Sequence, residues 1–275
     1  MTAQISEAAR LIDAVVQPRL ERHRSAKPLV VGLCGSQGSG KTTVSKELGA
    51  TWSEQGLRVA VLSLDDFYLT RAERENLARD VHPLLATRGV PGTHDVSLAS
   101  KTLQALSEQG LAKLPRFDKA NDDRSPEASW PVVQTPVDVI LFEGWCVGAR
   151  PEQRERLSSP INSLEAADDA DGRWRNYVND RLAGDYQALF ALIDYLVLLA
   201  APGFDVVLRW RTQQERELRV QRQGVAVMDD VALARFVQHY ERLTRHILSE
   251  MPARANLVMY LDEDRRIRSE TTANR

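Results

Sequence analysis

The sequence predicts an α/β fold of three layers, a mostly parallel central sheet with helices on both faces. Three observations carry this reading. Short apolar, β-branched runs alternate with longer stretches of helical period, which implies right-handed βαβ crossovers and a parallel sheet. The first run stops at a glycine-rich turn that opens a helix, and two later runs each end in an acidic residue.

Residues 1–24 open the chain with a leading amphipathic helix, in which Ile5, Ala8, Ala9, Ile12, Val15 and Val16 recur at helical spacing and Pro18 lies near the end. It is expected to pack on the main body. Leu29-Val30-Val31-Gly32-Leu33-Cys34 then reads as a strand buried on both faces, with a helix from Lys41. Val59 to Leu64 and Val137 to Phe142 are further buried-strand candidates, and Ile193 to Leu199 and Leu257 to Leu261 complete the set. Arg71 to Asp95 and Phe117 to Pro136 are rich in Pro, Gly, Asp and Arg and weak in periodicity, so they read as ordered functional loops. No domain boundary is visible, and 1–275 reads as a single domain with acceptor-binding insertions over 65–136 and a lid-like segment over 204–224.

Bulk composition narrows the function. The 36 basic and 38 acidic side chains give a net charge of -2, which removes the electrostatic case for a nucleic-acid or membrane-surface protein. The longest apolar stretch, Ala188 to Ala201, is interrupted by Asp194 and closed by Pro202, too short and polar to span a bilayer. The amino terminus has neither basic head nor apolar signal core, so a cytoplasmic protein is expected. The two cysteines, Cys34 and Cys146, offer neither a disulfide framework nor zinc spacing and read as small buried residues.

Gly35-Ser36-Gln37-Gly38-Ser39-Gly40-Lys41-Thr42 matches GxxxxGK[ST] between a predicted strand and a predicted helix, the context that this nucleotide-phosphate motif requires. Its glycines bring backbone N–H groups close around phosphate oxygens, and the helix start adds partial positive charge. Lys41 is expected at the β- and γ-phosphates and Thr42 on Mg²⁺, with Thr43 next in the same turn. The fold class is then that of P-loop nucleoside triphosphate hydrolases and kinases, with ATP and Mg²⁺ as the bound species.

A phosphoryl-transfer enzyme needs one carboxylate to take the acceptor's hydroxyl proton and another acidic group for the metal. Asp65 and Asp66 follow the second strand and Glu143 the strand ending in Phe142, all at the edge that carries the glycine turn. Consecutive side chains point apart, so only one of the two aspartates faces the phosphate. Asp138 reads as an edge or strand-start residue, and Trp145 as pocket wall or core.

These residues resemble the phosphoribulokinase, uridine kinase and pantothenate kinase superfamily, and within it the plant-type D-glycerate 3-kinases and their fungal and bacterial relatives. The resemblance rests on Ser63-Leu64-Asp65-Asp66-Phe67-Tyr68-Leu69-Thr70, on His82-Pro83-Leu84-Leu85 with Arg88-Gly89-Val90-Pro91-Gly92-Thr93-His94-Asp95, on Pro115-Arg116-Phe117-Asp118-Lys119 and on Phe142-Glu143-Gly144-Trp145. It extends through Trp174-Arg175-Asn176-Tyr177 to Tyr240-Glu241-Arg242-Leu243-Thr244. It implies Asp65 as general base, Glu143 as the strand-end glutamate and glycerate as the small-molecule hydroxyl acceptor. The stretch Ala120 to Pro126 is shorter than the Gly-rich one of the plant enzymes.

A glycerate pocket needs a cationic fork and neutral donors beside the base. Arg88, His94, Lys119, Arg124 and Tyr68 are the candidates by loop, with Asp95 read as the cap of a helix Val96 to Leu106. Arg209, Arg216 and Arg219 fall close to one face of a predicted helix, and the superfamily's basic lid implies that this group, with Arg216 and Arg219 as the candidates, is expected to meet the triphosphate when the lid closes. The same chemistry on a nucleoside, pantothenate or a sugar phosphate is the nearest alternative, and a nucleotide-dependent switch or assembly ATPase a more distant one. Monomer and homodimer both remain open.

Overall fold

The structure, a computed structural model, describes residues 5–23, 27–221 and 230–272, the side chains of 214–221 excepted. Its centre is a six-stranded sheet in the order β10-β9-β8-β1-β7-β2. Here β1 is Leu29–Gly35, β2 Val59–Ser63, β7 Val139–Gly144, β8 Tyr195–Ala200, β9 Leu257–Leu261 and β10 Ile267–Thr272. All pairings are parallel except β9 with β10. The antiparallel final hairpin was outside the sequence expectation, because Ile267–Thr272 is polar and mostly exposed and carries no buried-strand pattern.

β1, β7 and β8 are buried along their whole length. Alternate residues enter opposite cores, as a period of two demands. Val31, Leu33, Leu141 and Val197 pack with α1 (Glu7–Arg22), α2 (Lys41–Glu54) and α8 (Phe204–Gln221). Val30, Ile140, Phe142 and Leu198 pack with α4 (Val96–Ala105), α7 (Asp185–Phe190) and α9 (Asp230–Glu250). The three layers predicted from sequence follow. The leading helix is pinned as expected, by Ala9, Ile12 and Val16 in the core and by Trp52 Nε1 donating to Asp13 Oδ1 at 2.6 Å.

Between β2 and β7 the chain builds α3 (Arg71–Asp80), α4 and two small two-stranded sheets, β3 (Gly110–Lys113) with β6 (Val132–Thr135), and β4 (Phe117–Asp118) with β5 (Asp123–Arg124). α3 corrects the reading of Arg71 to Asp95 as loop throughout. Its mean composition is strongly polar and its single buried residue is Arg74, so no apolar stripe announced it. The capping box was the available signal: Thr70 accepts from Glu73 N while Glu73 accepts from Thr70 N. After β7, α5 (Ser163–Asp168) and α6 (Arg173–Ala183) lead into α7.

β1 lies between β7 and β8, so strand order reverses at its carboxyl end, and ligand crevices in open α/β sheets form at such a point. Acids at the amino-terminal edge serve the fold instead. Asp138 accepts from Arg58 at 2.6 Å, and Asp194 from Val30 N at 2.8 Å.

Candidate active site

The turn from β1 into α2 is the expected cradle. Gly38 and Gly40 take φ of 77° and 90°, the left-handed region that only glycine enters freely. Gly38 is constrained further, since a Cβ there would lie 2.7 Å from Trp210 Cβ. Its carbonyl accepts from Arg265 Nε at 2.6 Å, which ties the turn to the β9–β10 connection. The first turn of α2 carries no acidic residue, so the positive pole of the helix is left for an anion. Ser36 Oγ, Gln37 Oε1 and Ser39 Oγ are buried with no hydrogen-bond partner among the described residues. Such atoms carry a desolvation cost that a bound polar ligand relieves.

Glu143 is the penultimate residue of β7, in register with Leu33 of β1 and Ser63 of β2. It is 3% exposed. Oε1 accepts from Thr42 Oγ1 at 2.9 Å, and Oε2 has no partner among the described residues. A hydroxyl and a carboxylate with an unspent oxygen form a hard, all-oxygen donor set of the kind Mg²⁺ takes.

The turn Leu64–Phe67 after β2 separates the two aspartates. Asp65 accepts from Tyr68 Oη at 2.7 Å and from Lys119 Nζ at 2.5 Å. Asp66 turns the other way and accepts from Phe117 N at 3.2 Å and Arg116 at 3.4 Å, so it anchors the Arg116–Phe117 segment. Their acidities diverge accordingly. Burial pushes Asp65 up, but the charges of Lys119 and Lys41 with the hydrogen bonds from Lys119 and Tyr68 outweigh it, and the carboxyl sits below its usual range. For Asp66 burial wins over Arg116, and its pKa is raised. Burial and the Asp65 charge push the Tyr68 phenol well up, which keeps it a donor.

Gln37, Lys41, Thr42, Thr43, Asp65 and Tyr68 meet Arg88, Lys119, Trp145 and Tyr240, among others, in one cleft of about 460 Å³, with Glu143 behind Thr42. The loop bearing Arg88 is held by its backbone. Tyr240 Oη donates to Arg88 O at 3.1 Å, and Trp145 Nε1 donates to Gly89 O at 2.8 Å. Gly89 has φ 137°, and a Cβ there would fall 2.1 Å from Tyr240 Oη. Any side chain at 89 would push this loop off the cleft wall.

The candidates drawn from loop position divide. Arg88, Lys119 and Tyr68 reach the cleft, whereas His94 and Arg124 stand behind it. The His94 ring stacks on Tyr68 with centroids 4.6 Å apart and its Nδ1 bonds Tyr186 Oη at 2.7 Å. Burial drops its pKa to about 4, so it is a neutral support. Arg124 donates to Tyr68 O at 3.0 Å and to Asp95 at 3.2 Å, a brace for the same wall. Asp95 caps α4 through Leu98 N, as expected. Arg209 is drawn to Glu263 at 3.0 Å, and the side chains of Arg216 and Arg219 lie outside the described residues. Sequence reasoning missed Tyr240, Arg211, Gln213, Phe236 and Arg265, which also line the cleft. Tyr240 lay in a motif of the resemblance, while nothing local marks Arg265.

Residues 30–149 match the model of the Phosphoribulokinase / Uridine kinase family. The uncharacterized kinase mug58 of Schizosaccharomyces pombe is 36% identical over 82% of this chain and 81% of its own. The chloroplastic D-glycerate 3-kinase of Arabidopsis thaliana is 37% identical over 78% of this chain, which spans only 46% of that longer protein. Among solved structures, a D-glycerate 3-kinase from Cryptococcus neoformans superposes with a TM-score of 0.81 at 27% identity, covering 98% of this chain and 100% of that one. Among the described residues no helix is long and apolar enough to cross a membrane.

Proposed function

This chain belongs to the phosphoribulokinase and uridine kinase family, and from that premise we propose that it is an ATP-dependent kinase transferring the γ-phosphoryl group to a hydroxyl of D-glycerate, giving 3-phosphoglycerate. The single observation that carries the reading is the shared cleft. The phosphate cradle, the carboxylate of Asp65 and the cations Arg88 and Lys119 all line it.

In this mechanism the backbone amides of Gly35 to Thr43 hold the triphosphate, and Lys41 draws charge from its terminal oxygens. Thr42 and Glu143 would hold Mg²⁺, which when bound neutralises phosphate charge. Arg88 takes the glycerate carboxylate. Tyr68 and Lys119 fix Asp65 so that its free lone pairs meet the attacking hydroxyl. The oxygen–phosphorus bond forms, ADP leaves in line, and the hydroxyl proton passes to Asp65. A carboxylate held below its usual pKa is a weak base, which suits a loose transition state in which that proton moves late. Most of the acceleration then comes from positioning.

The test is a panel of acceptors with MgATP: D-glycerate, L-glycerate, glycerol, uridine, pantothenate and ribulose 5-phosphate. D-glycerate is expected to give the highest kcat/KM. Turnover of uridine, pantothenate or the sugar phosphate above that of glycerate overturns the acceptor assignment.

A pH effect follows from the Lys119–Asp65 pair. In the parent protein the acid limb of kcat/KM lies below the ordinary carboxylate range, because Asp65 must be ionised and its neighbours keep it so. Lys119→Met removes a lowering influence and leaves burial in place, so the limb moves to higher pH. An unmoved limb would mean that Lys119 does not set the charge state of the base.

A further inference from the structure

We infer that Asp122 is a positioning residue that aims Arg88 at the acceptor's carboxylate. This rests on the reading of the cleft as the site of a small carboxylate-bearing alcohol.

Arg74 is a nearly complete burial of charge, at 1% exposure. Its guanidinium joins three separate stretches of chain. Nε donates to Leu69 O at 3.3 Å, NH1 to Ala86 O at 2.7 Å and NH2 to Asp122 O at 2.7 Å. The same NH2 lies 3.0 Å from Asp122 Oδ2. Asp122 is thereby held with φ of 55°, a left-handed conformation uncommon for a residue with a side chain. Aspartate enters this region more readily than most residues, so the β4–β5 turn allows the conformation and the contacts from buried Arg74 fix where its side chain points.

That side chain turns to the cleft wall. Asp122 Oδ1 accepts from NH1 of Arg88, whose guanidinium lies 5.5 Å from the centroid of Phe117. The Phe117 ring also meets the Arg74 guanidinium, at 5.9 Å, and packs edge-on against Tyr68. Arg88 is thus fixed at one nitrogen and one ring face. Its other nitrogens form no hydrogen bond with the described residues, and the residue lines the cleft beside Asp65 and Lys119.

Charge counting gives the arrangement its sense. One carboxylate stands between two guanidiniums, which leaves one positive charge over, and that charge sits on the member that reaches the cleft. Lys119 is already matched by Asp65. Lys41, Arg211 and Arg265 also line the cleft, and Arg88 is the cation among them whose fork is preset by Asp122, with little rotamer freedom left to lose to an acceptor carboxylate. Asp122 touches neither substrate nor reacting atoms, and acts through Arg88.

The test measures KM and kcat for D-glycerate and for glycerol, which lacks the carboxylate, in the parent protein, in Asp122→Asn and in Asp122→Glu, with thermal unfolding alongside. Asp122→Asn is expected to raise the D-glycerate KM about tenfold or more while the ATP KM stays within about twofold. The preference for glycerate over glycerol is expected to fall by the same factor. Asp122→Glu keeps the counter-charge for buried Arg74 and displaces the fork by one methylene, so it reads the same loss even if the Asn variant folds poorly. A merely structural role would lower thermal stability and move both acceptors together. An unchanged or higher preference for glycerate in the folded variants overturns the inference and leaves the acceptor assignment intact. A parent protein with no preference for glycerate over glycerol removes that assignment, and the inference with it.

Discussion

Asp65→Asn is expected to lower kcat by about 10² to 10⁴ while the affinity for MgATP stays within a few-fold. The substitution is nearly isosteric. Its amide oxygen still accepts from Tyr68, so the turn after β2 has no reason to move. What disappears is the negative charge that receives the hydroxyl proton and aligns the attacking oxygen. Nucleotide binding depends on other groups, the amides between Gly35 and Thr43 and the Lys41 ammonium. Stability is also separable. The Lys119–Asp65 pair has side chains 59% and 30% exposed, and a half-exposed pair contributes about 0.2–1 kcal/mol. Turnover measured at saturating acceptor, with nucleotide affinity measured independently, isolates the effect. Full turnover in the variant would remove Asp65 from the chemistry.

How far the sequence reveals this site depends on how local each part is. The cradle is one continuous segment whose strand, glycines and helix identify one another, and the structure places it as read. Asp65 and Glu143 were legible because parallel strands deliver their ends to one edge. The division of labour between Asp65 and Asp66 needed the turn Leu64–Phe67, whose geometry sends one carboxylate to the cleft and the other to Phe117 N.

The acceptor wall was legible only in part. Arg88, His94, Lys119 and Arg124 are equivalent as cations on loops, and nothing in their spacing says that Asp122 holds the first at the wall while Tyr186 holds the second behind it. Tyr240 and Arg265 reach the site from the far end of the chain, by helix packing and a turn that no local pattern encodes. α3 was hidden for a related reason. Its inward residue is an arginine that serves the loop network rather than an apolar core, so hydrophobic periodicity had nothing to report.

Glu143→Gln is the second large effect, with kcat expected to fall by about 10² to 10³ and the half-saturating Mg²⁺ concentration to rise. Glutamine keeps the oxygen that accepts from Thr42, so the contact between β7 and the first turn of α2 survives. It replaces the unpartnered Oε2 with an amide nitrogen that donates hydrogen bonds and cannot ligate a cation. At 3% exposure water offers the lost charge little substitute. The replacement has the same shape and keeps the Thr42 bond, so the melting temperature is expected to change little in metal-free buffer. Added Mg²⁺ with nucleotide should then stabilise the parent more than the variant. An unchanged metal-free stability together with a weakened response to Mg²⁺ is the pattern expected if Glu143 is kept for a cation. A Mg²⁺ dependence equal to the parent's would show that the glutamate serves the fold alone.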